Sequence, residues 1–218
     1  MKIGVIHAAK SAVEPLNTVF AQLDPSVEVC NHLNEEMLKE TERSGKITPK
    51  ALRMFASEVL DAADEGADGI IVACSVFCSS LDLVRPFLDI PIIPVDDPAL
   101  DEALRRGGKV GILATTPASA PSCREKLERK AKEQNTALTY EYGVVPEALE
   151  ALKAGNGEEH DRLLAAEAQR LKDLGCNTLF LSQVSMARAL NAFPEDLKEI
   201  TLTTPAEGAK EILRLAAR

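Results

Sequence analysis

Gly66-Ala-Asp-Gly-Ile-Ile-Val-Ala-Cys-Ser-Val-Phe-Cys-Ser-Ser-Leu-Asp82 is the stretch on which the fold turns. Its apolar run, Ile70 to Ala73, follows a glycine and stops at Cys74, where serines and Cys78 begin. A short continuous apolar run of this kind reads as a parallel strand buried on both faces. The small polar residues behind it read as a loop entering a helix. Open α/β sheets bind ligands outside the carboxyl ends of their strands, so Cys74 stands where chemistry is expected.

Upstream, Thr48-Pro49 has N-cap and N1 character and opens a helix to about Glu65. Leu52, Phe55, Val59, Leu60 and Ala63 fall on one stripe of it, and Gly66 closes it. Before that, Lys2 to Ile6 reads as a strand ending at His7, residues 11–23 as a helix, and Val27 to Cys30 as a second strand. Downstream come a helix over 79–88, a strand from Ile90 to Val95, and a helix capped at Asp96-Asp97-Pro98 that runs to Arg106. Lys109 to Ala114, Ala137 to Tyr142, Thr178 to Leu181 and Ile200 to Thr203 read as further strands. Helices are expected over 118–134, Pro146 to Ala154, Glu158 to Leu174, from Val184 and from Pro205. This β/α alternation predicts an α/β protein with mostly parallel sheet and helices on both faces.

An internal repeat sharpens that reading. Lys2-Ile-Gly-Val-Ile matches Lys109-Val-Gly-Ile-Leu 107 residues on. Leu60 to Cys74 resembles Gln169 to Gln183, with Gly66 and Gly175 equivalent and Cys74 and Gln183 equivalent, both 109 apart. Pro94 to Leu104 resembles Thr203 to Leu213 more loosely. Two similar parallel-sheet lobes follow, 1–97 with 205–218 and 98–204, related by a pseudo-twofold. The active site is expected between them, with Cys74 on one wall and Gln183 on the other.

Composition narrows the function. Apolar residues make up 45% of the 218, enough for a sizeable core, and aromatics only 4%, so that core is aliphatic. A net charge of −9 argues against nucleic acid, whose phosphates demand concentrated Lys and Arg. A small anionic substrate stays open, because backbone N–H groups act locally. The first apolar run is too short for a secretory signal, and no stretch approaches the roughly 18 apolar residues of a membrane span. A cytoplasmic protein is expected, with its five scattered cysteines reduced. Gly-rich nucleotide loops and a G-x-S-x-G elbow are absent, and the three histidines lack ligand spacing, so no metal and no cofactor are expected.

Over nearly its whole length the chain resembles the aspartate/glutamate/hydantoin racemase superfamily. The resemblance rests on Lys2-Ile-Gly-Val-Ile6, Ala73-Cys74-Ser75, Gly111-Ile-Leu-Ala-Thr115 and Leu181-Ser-Gln-Val-Ser-Met186. It implies a cofactor-independent enzyme, a small carboxylate substrate and a homodimer. In that superfamily a cysteine at each of two strand ends works from opposite faces of the substrate carbon. Here Cys74 matches the first and Gln183 stands at the second; Ser185 takes the place of a histidine, and Ser75 and Val76 that of Asn-Thr. The resemblance is therefore to a single-cysteine branch.

For each candidate a bland role stands beside the chemical one. Cys74 is a thiolate at a helix start or a small core residue. Cys78 fits packing better than a metal site, for which two ligands are lacking. Gln183 cannot exchange protons near neutrality, but its amide can hold a carboxylate or an enediolate, or simply tie loops together. Ser185 could bind an oxygen or relay a proton. Thr115, Thr116 and Ser119 surround a helix start that favours anions or is merely capped. Thr115 ends the strand equivalent to the one ending at His7, and His7 could bind the carboxylate, serve as an acid/base or be a bland polar residue. His160 is expected in a solvated helix, uninvolved, and His32 off the site. Cysteine-mediated proton transfer on an amino acid or dicarboxylate-like acid is the leading expectation. Decarboxylation of a malonate-like acid, cis–trans isomerisation by thiol addition, and non-catalytic binding are the alternatives.

Overall fold

The computed structural model describes residues 1–117 and 119–218. The first half runs β1 (Lys2–His7), a 3-10 turn (Lys10–Ala12), α1 (Val13–Leu23), β2 (Glu28–Leu33), α2 (Glu35–Ser44) and α3 (Pro49–Asp64). It continues with β3 (Gly69–Val72), α4 (Ser75–Cys78), α5 (Leu81–Val84), a 3-10 turn (Arg85–Phe87) and β4 (Ile92–Pro94). Next come α6 (Asp97–Arg106), β5 (Lys109–Ala114), α7 (Ser119–Glu133), β6 (Thr139–Val144), α8 (Pro146–Lys153) and α9 (Gly157–Asp173). The chain ends with β7 (Thr178–Leu181), a 3-10 helix (Val184–Ala192), α10 (Glu195–Lys198), β8 (Thr201–Thr203) and α11 (Thr204–Ala216). No helix among the described residues is long and apolar enough to cross a membrane.

The strands form two four-stranded sheets, wholly parallel, in the orders β2-β1-β3-β4 and β6-β5-β7-β8. The chain divides into two compact units, Met1–Pro98 with Pro205–Arg218, and Ala99–Thr204. In the first, Ile6, Ile70 and Val72 pack against Phe55 and Val59 of α3, and Ile212 of α11 lies over Gly69. In the second, Leu179 and Leu181 meet Leu164 and Leu171 of α9, while Leu100 and Leu104 of α6 join Ile112 and Phe180.

The repeat has a physical basis in how each crossover helix stops. Gly66 and Gly175 both adopt left-handed φ, 83° and 85°. Behind each, an N–H reaches back into the last turn, Ala67 to the Ala62 carbonyl and Cys176 to the Leu171 carbonyl. This closure is that of a Schellman-type C-terminus, where a Cβ would be penalised. The lysine opening each repeat serves the same joint: Lys2 Nζ donates to the Glu65 carbonyl at 2.7 Å and Lys109 Nζ to the Leu174 carbonyl at 3.1 Å. Cations suit helix C-termini for this reason.

Several expectations need correction. Leu60 is 37% exposed, and Ala62 rather than Ala63 completes the buried face of α3 with Ala51, Phe55 and Val59. Leu60 instead borders an apolar surface groove with Leu52, Ala56, Leu83, Val84 and Phe87. The helix expected over 79–88 is three short pieces and begins earlier, at Ser75, with Pro86 confined to the last 3-10 turn. The helix expected from Val184 is 3-10 along nine residues. β2 and β6 lie later than expected; both are edge strands with half-exposed side chains, so no buried run marks their ends. The expected start of α7 at residue 118 lies outside the described residues.

The α3 correction has a direct test by urea unfolding. Phe55 is fully buried and stacks on Phe77 of α4, ring centroids 5.2 Å apart. Phe55→Ala is expected to cost about 3–5 kcal/mol. Leu60→Gln is expected to stay within roughly 0.5 kcal/mol.

Candidate functional site

In the first sheet β1 and β3 are neighbours, and the chain leaves them in different directions, β1 toward α1 and β3 toward α4. Such a divergence of strand ends is where open α/β sheets receive ligands. Cys74 lies two residues beyond Val72 and is the extended residue before α4, with φ −135° and ψ 109°. It is half-buried against the aliphatic core, as is Val76, whereas Ser75 is exposed. Cys78 turns back and donates its thiol hydrogen to the Cys74 carbonyl at 3.3 Å, a local packing contact. Phe77, fully buried on Phe55, anchors the short helix that follows the cysteine.

His7 ends β1 and is wholly buried. Its Nε2 lies 2.8 Å from Asn31 Oδ1, and Asn31 Nδ2 donates to Asn17 Oδ1 at 3.0 Å. With the Asn31 amine on Asn17, its carbonyl faces the imidazole and accepts from Nε2–H. Nδ1 then carries the bare lone pair, buried and without a partner among the described residues. Burial pushes the His7 pKa below 6.5; the Asn31 hydrogen bond opposes this less strongly, and His32 adds a further downward push. His32 itself lies between Glu58 and Glu65, at 3.8 and 3.7 Å.

The second sheet repeats the arrangement with other groups. Gln183 lies two residues beyond Leu181, as Cys74 does beyond Val72. Its Oε1 accepts twice from Thr115, from the backbone N–H at 2.7 Å and from Oγ1 at 2.9 Å. A backbone N–H can only donate, so the atom facing it must be the amide oxygen. The Gln183 amine is thereby turned away from Thr115, and it has no partner among the described residues. Thr115 is 2% exposed. Strand register sets Ile6 beside Val72 and Leu113 beside Leu181, so the counterpart of His7 is Ala114, and Thr115 answers to Ala8.

The Thr116 and Ser119 hydroxyls lie 2.6 Å apart; Ser119 N–H reaches Thr116 Oγ1 at 3.3 Å, and Ser119 Oγ donates to the Thr116 carbonyl at 2.9 Å. Both hydroxyls are engaged in capping α7. Ser185, half-buried in the first turn of the 3-10 helix, has no hydrogen bond from its hydroxyl among the described residues. Cys123 and Cys176 are buried, and burial pushes the thiols of Cys176 and Cys30 above 9.0, which makes them poor nucleophiles. Among the described residues no group of three or more His, Cys, Asp and Glu side chains converges on a point a metal could occupy.

One cluster escaped the sequence reading. His160 is 0% exposed, contrary to the solvated position expected of it. Its Nδ1 lies 2.7 Å from Asp161 Oδ1, and Asp161 also receives Arg188 Nε at 3.0 Å and Nη2 at 3.2 Å. A signal was available: His160, Leu164, Ala168 and Leu171 fall on one helical stripe, and all four are fully buried.

A family model described as Asp/Glu/hydantoin racemase matches residues 4–211. Among solved structures, an aspartate racemase homologue from Pyrococcus horikoshii OT3 is similar at a TM-score of 0.76 and 16% identity, covering 100% of this chain and 99% of its own. The allantoin racemase of Klebsiella pneumoniae follows at 0.72 and 19%, covering 100% and 88%. A glutamate racemase from Thermus thermophilus gives 0.67 and 20%, covering 98% and 79%. At these identities the structural likeness concerns the fold. No curated protein matches the chain significantly.

His7 gives this end of the fold a pH signature. The unfolded chain protonates near 6.5, whereas the folded His7 resists until lower pH. Its contribution is therefore complete above 6.5 and is lost as pH falls through 6.5 toward the folded value. The melting temperature, followed from about pH 7.5 to about pH 5, is expected to fall more steeply in the wild type than in His7→Gln.

Proposed function

This chain belongs to the Asp/Glu/hydantoin racemase family of isomerases, and from that premise we propose that it moves a proton at the carbon beside a small carboxylate, with Cys74 as the proton carrier. The observation that carries the reading is the orientation of Gln183. Two Thr115 donors hold its oxygen, so its amine is presented as a pair of N–H donors. An amide cannot exchange protons near neutral pH, but it can stabilise negative oxygen. The position equivalent to Cys74 is thus suited to charge stabilisation.

The steps balance simply. The Cys74 thiolate takes the α-proton, and the electron pair passes into the carboxylate to give an enediolate. Its oxygens are assigned to the Gln183 amine, with the Ser75 and Ser185 hydroxyls as further donors. Val76 packs against the same aliphatic cluster as Cys74, and His7 ends β1 in the same lobe. Return of the proton regenerates the thiolate. Amino acids and hydantoins are the substrate classes favoured by family membership, and a homodimer is the expected assembly. A decarboxylase is the second reading, favoured by the same amide: loss of carbon dioxide from a malonate-like acid yields the same enediolate, and one thiol suffices to protonate it.

Incubation in deuterated water with aspartate, glutamate, hydantoins and aryl malonates is the test. Deuterium at the α-carbon, or release of carbon dioxide, is expected to fall by at least about a hundredfold in Cys74→Ser. It is expected to fall by roughly a hundredfold in Gln183→Leu, which keeps bulk but removes the donors. Tight binding with neither reaction would replace the enzyme with a binding protein.

A further inference from the structure

We propose that Arg188, Asp161 and His160 form a clamp that holds the 3-10 helix Val184–Ala192 in place and so sets the pose of Gln183 at its cap. These are positioning residues; the catalytic meaning of that pose rests on the reading above, whereas the clamp itself does not.

The helix needs an external support. Runs of 3-10 helix beyond three or four residues are uncommon because their hydrogen bonds are poorly aligned, yet this one extends over nine. Met186 and Ala189 give it an apolar face in the core. Among the described residues its polar side-chain tie to the rest of the lobe is Arg188, which reaches Asp161 through Nε and Nη2. Gln183, five residues earlier, is fixed separately through Thr115. The segment is thus pinned at two points, and slack at Arg188 is transmitted to the cap.

The clamp is constructed in depth. Asp161 is 9% exposed, and a carboxylate so placed needs partners. It has two: the Arg188 guanidinium, and the Nδ1–H of fully buried His160. Since the paired carboxylate accepts, Nδ1 carries the proton and the imidazole fixes the carboxylate from behind. Space for the guanidinium comes from Gly157. A Cβ at that position would fall 2.3 Å from Arg188 Nη2 and 2.7 Å from Cζ. An alanine at the start of α9 would push the guanidinium out of this position.

Gly157 supplies a clean test, because Gly157→Ala changes no member of the clamp and replaces a poor helix former by a good one. Hydrogen exchange across residues 184–192, together with NMR of the Gln183 side-chain amide, reads the outcome without any substrate. Gly157→Ala is expected to speed exchange in that segment by roughly tenfold and to shift the Gln183 amine signals, with 164–171 of α9 still protected. Arg188→Ala is expected to do the same, and the double variant to add nothing, since both act through one contact. Asp161→Asn, which leaves a buried site half-paired, is read only beside these. Unchanged exchange and amide signals in Gly157→Ala overturn the clamp, as does full additivity in the double variant. If the signals move but deuterium incorporation catalysed by the wild type persists undiminished in Gly157→Ala, the clamp's effect on catalysis is overturned. Lack of wild-type turnover would overturn the proposed reaction alone.

Discussion

The chain's reversal at Gly66 and Gly175 is the constraint on which both sheets depend. Each glycine takes a left-handed conformation, so that a long helix ends and a strand buried on both faces begins with only four residues between them. Lys2 and Lys109 tie the first strand of each sheet to the same joint. The helix, the joint and two central strands are thereby one mechanical unit, used twice. Strand register then places Cys74 and Gln183 at the same height on their sheets.

Above that common frame the two sheets differ in chemistry. One ends in a thiol on an aliphatic cushion, and its neighbouring strand in a buried imidazole. The other ends in an amide whose oxygen is already spent, so that it can donate but not shuttle protons. The fold is symmetric where packing governs it and asymmetric where substrate would be touched. At the matched positions one sheet carries a thiol and the other an amide that can only donate from its free end.

The limits of the sequence reading follow burial. Where a strand is buried on both faces, as at β1, β5 and β7, its apolar run ends abruptly and the ends could be read residue by residue. Where one face is wet, as at β2 and β6, polar and apolar residues mix and the ends lie one to three positions later than expected. The 3-10 character of Val184–Ala192 was invisible, since helical periodicity barely distinguishes 3.0 from 3.6 residues per turn over nine residues. Cys74 and Gln183 were legible through the repeat, but the orientation of Gln183 was not, because Thr115 lies 68 residues away in sequence. The polar neighbours Glu158 and Glu159 mask the spacing of His160 from Leu164 and Leu171. A residue's own polarity misleads when a buried partner, here Asp161, satisfies it.

The helix α11 has a consequence for synthesis. It follows the last strand of the second sheet, yet it packs on the first, with Ile212 over Gly69 and Gly208 against Ile71 and Val95. Residues 99–204 must therefore emerge before the first lobe can be sealed. During translation the lobe carrying Cys74 waits with one apolar sheet face open, and nascent chains in such a state are prone to aggregate. The lobe that leaves the ribosome first is thus the one completed last.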